Sequence, residues 1–199
     1  MTMVLLTALG VGGATVVGAL IGFIFRKLSH RFSDIVLSFA AGVMMAAAVL
    51  GLIIPAIDQS EHLGKLAFAP AMFGFLLGMA FLLLLDKFVP HLHMDCDEPE
   101  GLRCQLGQSA MMMLAVTLHN IPEGMAVGVM LAGIGAGNAV TTLAGALTLS
   151  LGIAIQNFPE GAIISLPLRS RGMCKHRAFA MGALSGIVEP VAAIVTMLL

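Results

Sequence analysis

Six apolar stretches, each close to the length of a membrane-spanning helix, divide this sequence. They run over about Met3–Phe25, Ile35–Ile57, Leu66–Leu85, Ser109–Gly133, Ala139–Leu168 and Arg177–Leu199. A hydrocarbon core about 30 Å thick needs roughly 20 apolar residues in a helix. Nearly all the charge falls in the breaks, at residues 26–31, 58–65, 86–103 and 169–177. The fourth and fifth stretches are joined only by a short turn containing Gly135, Gly137 and Asn138. One such stretch would suit a buried helix of a soluble protein, but six among 199 residues would not. The charged fraction is 11%, against about 25% in soluble domains, so polar side chains are too few to cover a water-facing surface. Hydrophobic residues at 59% exclude a disordered chain. Ten Lys+Arg against eleven Asp+Glu leave no basic excess for nucleic acid. Three scattered cysteines (Cys96, Cys104, Cys174) cannot build a disulfide framework. The expectation is an all-α integral membrane protein of six transmembrane helices. It forms one domain over residues 1–199, passes several times through the cell (inner or plasma) membrane, and has the lipid bilayer as its surroundings.

The first stretch lacks a basic n-region, is too long for a signal peptide, and is followed rather than preceded by positive charge. It reads as a retained helix with an external N-terminus. The loops after the first, third and fifth stretches then face the cytoplasm and hold nine of the ten Lys+Arg, Lys65 being the exception. Trp and Tyr are absent, so no aromatic belt of those residues marks the interfaces.

Three carboxylates interrupt the apolar stretches: Glu123, Glu160 and Glu189. A charge at the bilayer centre costs about 2.5–3.5 kcal/mol on insertion scales, and no lysine or arginine lies at similar depth in the sequence. These acids need protons or a bound cation. Two of them belong to a repeated phrase, His119-Asn120-Ile121-Pro122-Glu123-Gly124 and Gln156-Asn157-Phe158-Pro159-Glu160-Gly161. The short connection makes the two helices antiparallel, and so makes the phrases inverted copies. In each, the first residue and the Glu are spaced i, i+4 and the Asn and Glu i, i+3, which puts all three on one face. Each proline frees the carbonyl four residues back, at Leu118 and Ile155. Gly124 and Gly128 form a small-xxx-small pair for close helix packing. One imidazole with carboxylates and amide oxygens makes a mixed N/O donor set, suited to Zn²⁺, Fe²⁺ or Mn²⁺ rather than Cu(I). The donors outnumber the four of a single tetrahedral ion, leaving room for two adjacent metals that share the glutamates and weaken each other's binding. Blander readings exist: a lone membrane Glu can be a protonated packing residue, and Asn or Gln can be interhelical hydrogen-bonding glue. The duplicated phrase with its His argues against both.

HNIPEG at His119–Gly124, QNFPEG at Gln156–Gly161 and SGIVEP at Ser185–Pro190 together resemble the ZIP (Zrt/Irt-like) family of divalent-metal transporters, in particular its bacterial GufA-like branch. The resemblance implies a fold of eight helices with external termini, of which this chain carries the first six. It implies one metal position formed by His119, Glu123, Gln156 and Glu160 with Met44 as a soft contact. It implies a second position formed by Asn120, Glu123, Asn157, Glu160 and Glu189. Asp58 resembles the family's entrance carboxylate. Its separation from Met44, fourteen residues, is close to four helical turns, so the two are expected on nearly one face. The loop over residues 86–108, with His91, His93, Asp95 and Cys96, resembles a metal-rich cytoplasmic loop, although its spacing fits no structural zinc knuckle. Gln156 stands where many members carry His or Glu.

These features imply transport of a divalent ion into the cytoplasm, Zn²⁺ first and Fe²⁺, Mn²⁺ or Cd²⁺ as alternatives, with no enzymatic step. Gly74 and Gly78 offer a close-packing face for a homodimer. The last two helices of the family fold are not in the sequence, so the chain is expected to be a fragment of a longer protein rather than one completed by a partner subunit. A metal-binding or sensing membrane protein that does not transport is the alternative function. An intramembrane metallo-hydrolase is the enzymatic rival, but no HExxH occurs in any stretch.

Overall fold

The structure, a computed structural model, describes residues 2–26, 29–90, 101, 107–138 and 140–199. All regular structure among these residues is helical. Helix α1 covers Thr2–Ile24. Helix α2 covers His30–Gln59, beginning before the expected Ile35 because Ser29 caps it: its hydroxyl accepts the Phe32 N–H at 3.3 Å. A turn that includes Glu61–Leu66 leads to α3, Ala69–Phe88. Within that turn Gly64 takes φ 57°, a conformation that favours glycine.

Helices α4 (Gln108–Gly135) and α5 (Leu143–Ser170) carry the two copies of the repeated phrase. Their connection uses Gly137 at φ 71°, Asn138 Oδ1 accepting the Val140 N–H at 2.9 Å, and Thr142 capping α5 through the Gly145 N–H at 3.0 Å. Helix α6 runs over Lys175–Leu198 and is interrupted, its helical parts being Lys175–Ser185 and Val188–Leu198. Pro190 explains the weakness there, since it offers no N–H to the Gly186 carbonyl.

Five of these helices, α1, α2, α3, α4 and α6, are long and apolar enough to cross a membrane. Helix α5 is as long as α4 but less apolar: both carry a polar copy of the phrase, and α5 adds Pro167, Arg169 and Ser170 near its end.

Packing sorts the helices into a core and a flank. Helix α1 lies along α5 and touches both halves of α6, α4 packs on the second half of α6, and α2 lies against α5. The α1–α5 approach is close enough that a methyl at Gly18 would strike the Phe158 main chain, and one at Gly161 the Thr15 carbonyl. Helix α3 has its main contact with the end of α2, and Phe73, Phe75, Leu77 and Leu83 remain exposed on it.

One end of the bundle is basic. There Arg169 donates from Nε to the Gly22 carbonyl at 3.1 Å, Lys175 Nζ sits 4.7 Å over the Phe23 ring, and Arg171 donates to Gln108 Oε1 at 3.2 Å. Toward the other end the helices close on an apolar cluster that includes Ala8, Val11, Val127, Leu131, Leu149, Ile153 and Ala193.

Candidate metal centre

The antiparallel pairing of α4 and α5 brings the two copies of the phrase face to face. His119 Nε2 lies 3.5 Å from Glu123 Oε1 on its own helix and 3.6 Å from Glu160 Oε1 across the interface. One ligand atom from each of these three residues falls within a 4.8 Å cluster. Pro122 and Pro159 both sit inside continuous helices.

On the same helices, Asn120 Oδ1, both carboxylate oxygens of Glu123, Gln156 Oε1 and Glu160 Oε2 are buried and make no hydrogen bond of good geometry with the described residues, although His119 and the Gln156 side chain lie against Glu123. A buried acceptor without a donor costs about 1–3 kcal/mol, more when charged. With no lysine or arginine among the described residues to pair with them, His119, Glu123 and Glu160 form a group that could hold a cation, and the further unsatisfied oxygens of Asn120 and Gln156 lie on the same two helices.

The third acid is treated differently. Glu189, on α6, is buried and accepts three neutral donors: Thr15 Oγ1 at 2.8 Å, Asn120 Nδ2 at 3.0 Å, and Asn157 Nδ2 on its other oxygen. Helix α6 reaches the site because Gly124 and Gly128 let it come close: a methyl at Gly124 would meet the Glu189 main chain, and one at Gly128 would meet Ala193 and Thr196. Thr15 of α1 is absent from the residues that the sequence nominated. Its only signal was a hydroxyl near the middle of a helix built, apart from Thr2 and Thr7, of small and apolar residues.

Known proteins decide what kind of molecule this is. The chain matches no protein-family profile. It is 33% identical to the human (Homo sapiens) zinc transporter ZIP11, over 92% of its own length and 76% of that relative's. It is 37% identical to the zinc transporter ZIPB of Bordetella bronchiseptica, over 92% of its own length and 58% of the relative's. With the zinc transporter GufA of Myxococcus xanthus it shares 34% identity, over 96% and 73% of the respective lengths. The chain belongs to the ZIP family.

It is therefore a multi-pass membrane protein of a transporter family, and not an enzyme. Within this ZIP chain the remaining nominated residues fall in three places. Met44 is partly buried on α2, the helix that meets α5 through Val43 and Ala47 against Gly152. Asp58 is exposed near the far end of α2. The expectation that they share a face is corrected by a π-helical turn at Val49–Ile53, where the Ile54 N–H bonds the Val49 carbonyl five residues back. Pro55 favours that turn, having no N–H for the Gly51 carbonyl. A π turn absorbs one extra residue, which moves the two side chains from about 40° apart to about 140° apart around the helix. His91, His93, Asp95 and Cys96 lie outside the described residues.

Among the described residues, the site opens on one side. The His119 side chain is 51% exposed and borders a cavity of about 260 Å³ with Ala115, Val116, Glu160 and Ile163. Those neighbours lie on the side of the basic end, since α4 begins and α5 finishes there. On the other side Asn120 and Asn157 are fully buried, and the apolar cluster seals the approach.

Proposed function

We propose that this ZIP chain carries a divalent metal ion, Zn²⁺ first, across the membrane into the cytoplasm by alternating access around the centre between α4, α5 and α6. One observation carries the reading: His119, Glu123 and Glu160 bring ligand atoms within 4.8 Å of one another, among buried oxygens that make no hydrogen bond, with no lysine or arginine among the described residues to balance them. The relatives' zinc-transporter names support zinc as the cargo. The mixed donor set also accepts Fe²⁺, Mn²⁺ and Cd²⁺.

His119, Glu123, Gln156 and Glu160 hold the first ion in this reading, because each still offers an oxygen or nitrogen uncommitted to a hydrogen bond. The second position, with Asn120, Asn157 and Glu189 beside the shared glutamates, is harder to fill. The Glu189 carboxylate and Asn157 Oδ1 already accept donors. We infer that the centre loads one ion first, and a second only at higher concentration.

Six spans with an external N-terminus put the basic end in the cytoplasm. The cavity beside His119 is then the exit, and the apolar cluster is the closed outer gate. In the opposite state α1, α4, α5 and α6 shift to open that cluster and shut the cavity. Asp58 attracts cations at the outer surface, Met44 is a soft contact of the first ion, and the loop over residues 86–108 receives metal as it leaves. A second copy of the chain packs along α3, where an added methyl at Gly74 or Gly78 would meet nothing from another described helix within 4 Å.

Uptake of radiolabelled zinc into proteoliposomes tests the proposal. Glu123→Ala and Glu160→Ala are each expected to abolish uptake, and unimpaired uptake in both would end the assignment. Tight metal binding by the parent chain with no flux would instead favour a metal-binding or sensing role.

A further inference from the structure

Thr15 has no place in the ligand set, yet it is fully buried against it. Hydroxyls in membrane helices commonly bond the carbonyl four residues back on their own helix. Here Ser60, Thr117 and Ser150 do so, on Ala56, Met113 and Ala146. Thr15 instead donates across to another helix, to Glu189 Oε1 at 2.8 Å. It is held there between two glycines, since a methyl at Gly161 would strike its carbonyl and one at Gly186 would fall 2.6 Å from its Cβ.

The bond matters because of what Glu189 holds in turn. Asn120 Nδ2 faces two acceptors, Glu189 Oε1 at 3.0 Å and the Ser185 carbonyl at 3.2 Å. Asn157 Nδ2 likewise faces Glu189 Oε2 and the Val11 carbonyl, the latter at 3.3 Å. Only the NH₂ end of an amide can satisfy two acceptors at once, so the orientation of both side chains is chemically fixed. Asn120 Oδ1 is thereby turned away from Glu189. Asn157 Oδ1 accepts from Gln156 Nε2, which in turn leaves Gln156 Oε1 free. Asn120 Oδ1 and Gln156 Oε1 are two of the five buried oxygens without a donor.

We propose that Thr15 is a positioning residue of the metal centre: by donating to Glu189 it fixes the carboxylate that holds the NH₂ ends of Asn120 and Asn157, so that Asn120 and Gln156 present oxygens rather than N–H groups to the cation. The inference rests on the metal-carrier reading above. Without the hydroxyl, Glu189 loses a donor from the oxygen it shares with Asn120, and its carboxylate is free to turn toward the metal. Each amide then keeps only its backbone carbonyl, Ser185 or Val11, as a partner for the NH₂ group, so its orientation is held less firmly, and an NH₂ group that turns to face a cation repels it.

The test is zinc uptake by the full chain in proteoliposomes. Thr15→Val removes the hydroxyl at nearly constant volume, and Thr15→Ser keeps it. We expect Thr15→Val to raise the KM for Zn²⁺ about tenfold with the maximal rate within about twofold of the parent. Thr15→Ser should return the KM to within about twofold. A thermal unfolding midpoint in detergent monitors packing, and Thr15→Cys, only a weak donor, replaces the valine variant if that one does not fold. A parental KM in the folded variant lacking the hydroxyl overturns the proposal, as does a serine variant as impaired as the valine one. Glu123→Ala and Glu160→Ala run alongside separate the two readings. Normal uptake in both removes the carrier reading and this inference with it. Lost uptake in both, with Thr15→Val unchanged, rejects the role of Thr15 alone.

Discussion

His119 Nε2 stands 3.6 Å from Glu160 Oε1 across the α4–α5 interface, joining residues from opposite copies of an inverted repeat. A lone pair on one helix and a carboxylate on its antiparallel partner can share an ion only while the two helices stay in register, so the centre also reports on helix position. His119 supplies the single nitrogen donor of the cluster among the described residues. Imidazole favours zinc, whereas carboxylate and amide oxygens suit manganese. We expect His119→Ala to raise the KM for Zn²⁺ at least about tenfold while changing Mn²⁺ uptake by less than about threefold. Competition uptake with both ions checks this, and an equal loss for the two metals would contradict the assigned donor.

Gly124 is the close-approach point that lets Glu189 reach the site. Adding a methyl there forces the α4 and α6 backbones apart, and overpacking of this kind costs about 1–3 kcal/mol. Gly124→Ala is therefore expected to lower the unfolding midpoint in detergent and weaken Cd²⁺ binding. Gly10→Ala, where nothing lies within 4 Å of the added carbon, should do neither. Calorimetric titration of the two variants provides the comparison.

How much of this was legible in the sequence depends on how local the cause is. The His119/Glu123 and Gln156/Glu160 spacings predicted shared faces because an α-helix has a fixed repeat, and a short turn forced the two helices antiparallel. Glu189 was legible as an acid with no reason to be in an apolar stretch. Thr15 was not, because a threonine in such a helix usually satisfies itself on its own backbone, and only the approach of α6 gives it a different partner. The π turn escaped for a related reason. Pro55 signals a disturbance, but whether a helix kinks or takes up an extra residue depends on its neighbours, here Leu149 of α5 packed where Gly51 carries no side chain. The break in α6 after Ser185 belongs to the same class.

That extra residue gives Asp58 a testable consequence. Its carboxylate is exposed and rotated away from the face that Met44 occupies, so it can concentrate cations near the surface but does not continue a line of ligands along α2. Attraction by an exposed charge is screened by salt over about 8–10 Å. Asp58→Asn is expected to raise the KM for Zn²⁺ about two- to fourfold at low ionic strength, with little effect at high salt and none on the maximal rate. A loss as deep as that of Glu123→Ala at every ionic strength would place Asp58 among the ligands instead.

The one-sided access makes the sharpest prediction about conformation. Ala115 and Ile163 border the cavity beside His119, whereas Val127 and Ile153 belong to the buried apolar cluster beyond the site. In a background where Cys96, Cys104 and Cys174 are replaced by serine, Ala115→Cys and Ile163→Cys should react with a water-soluble thiol reagent applied from the cytoplasmic side. Val127→Cys and Ile153→Cys should resist it from both sides. Bound Zn²⁺ should slow the reaction at position 115, because an ion on His119 and Glu160 stands at the inner mouth of the cavity. If the Val127→Cys and Ile153→Cys variants label readily from outside while position 115 stays silent, the arrangement of gate and exit is reversed, and with it the direction of transport assigned to this state.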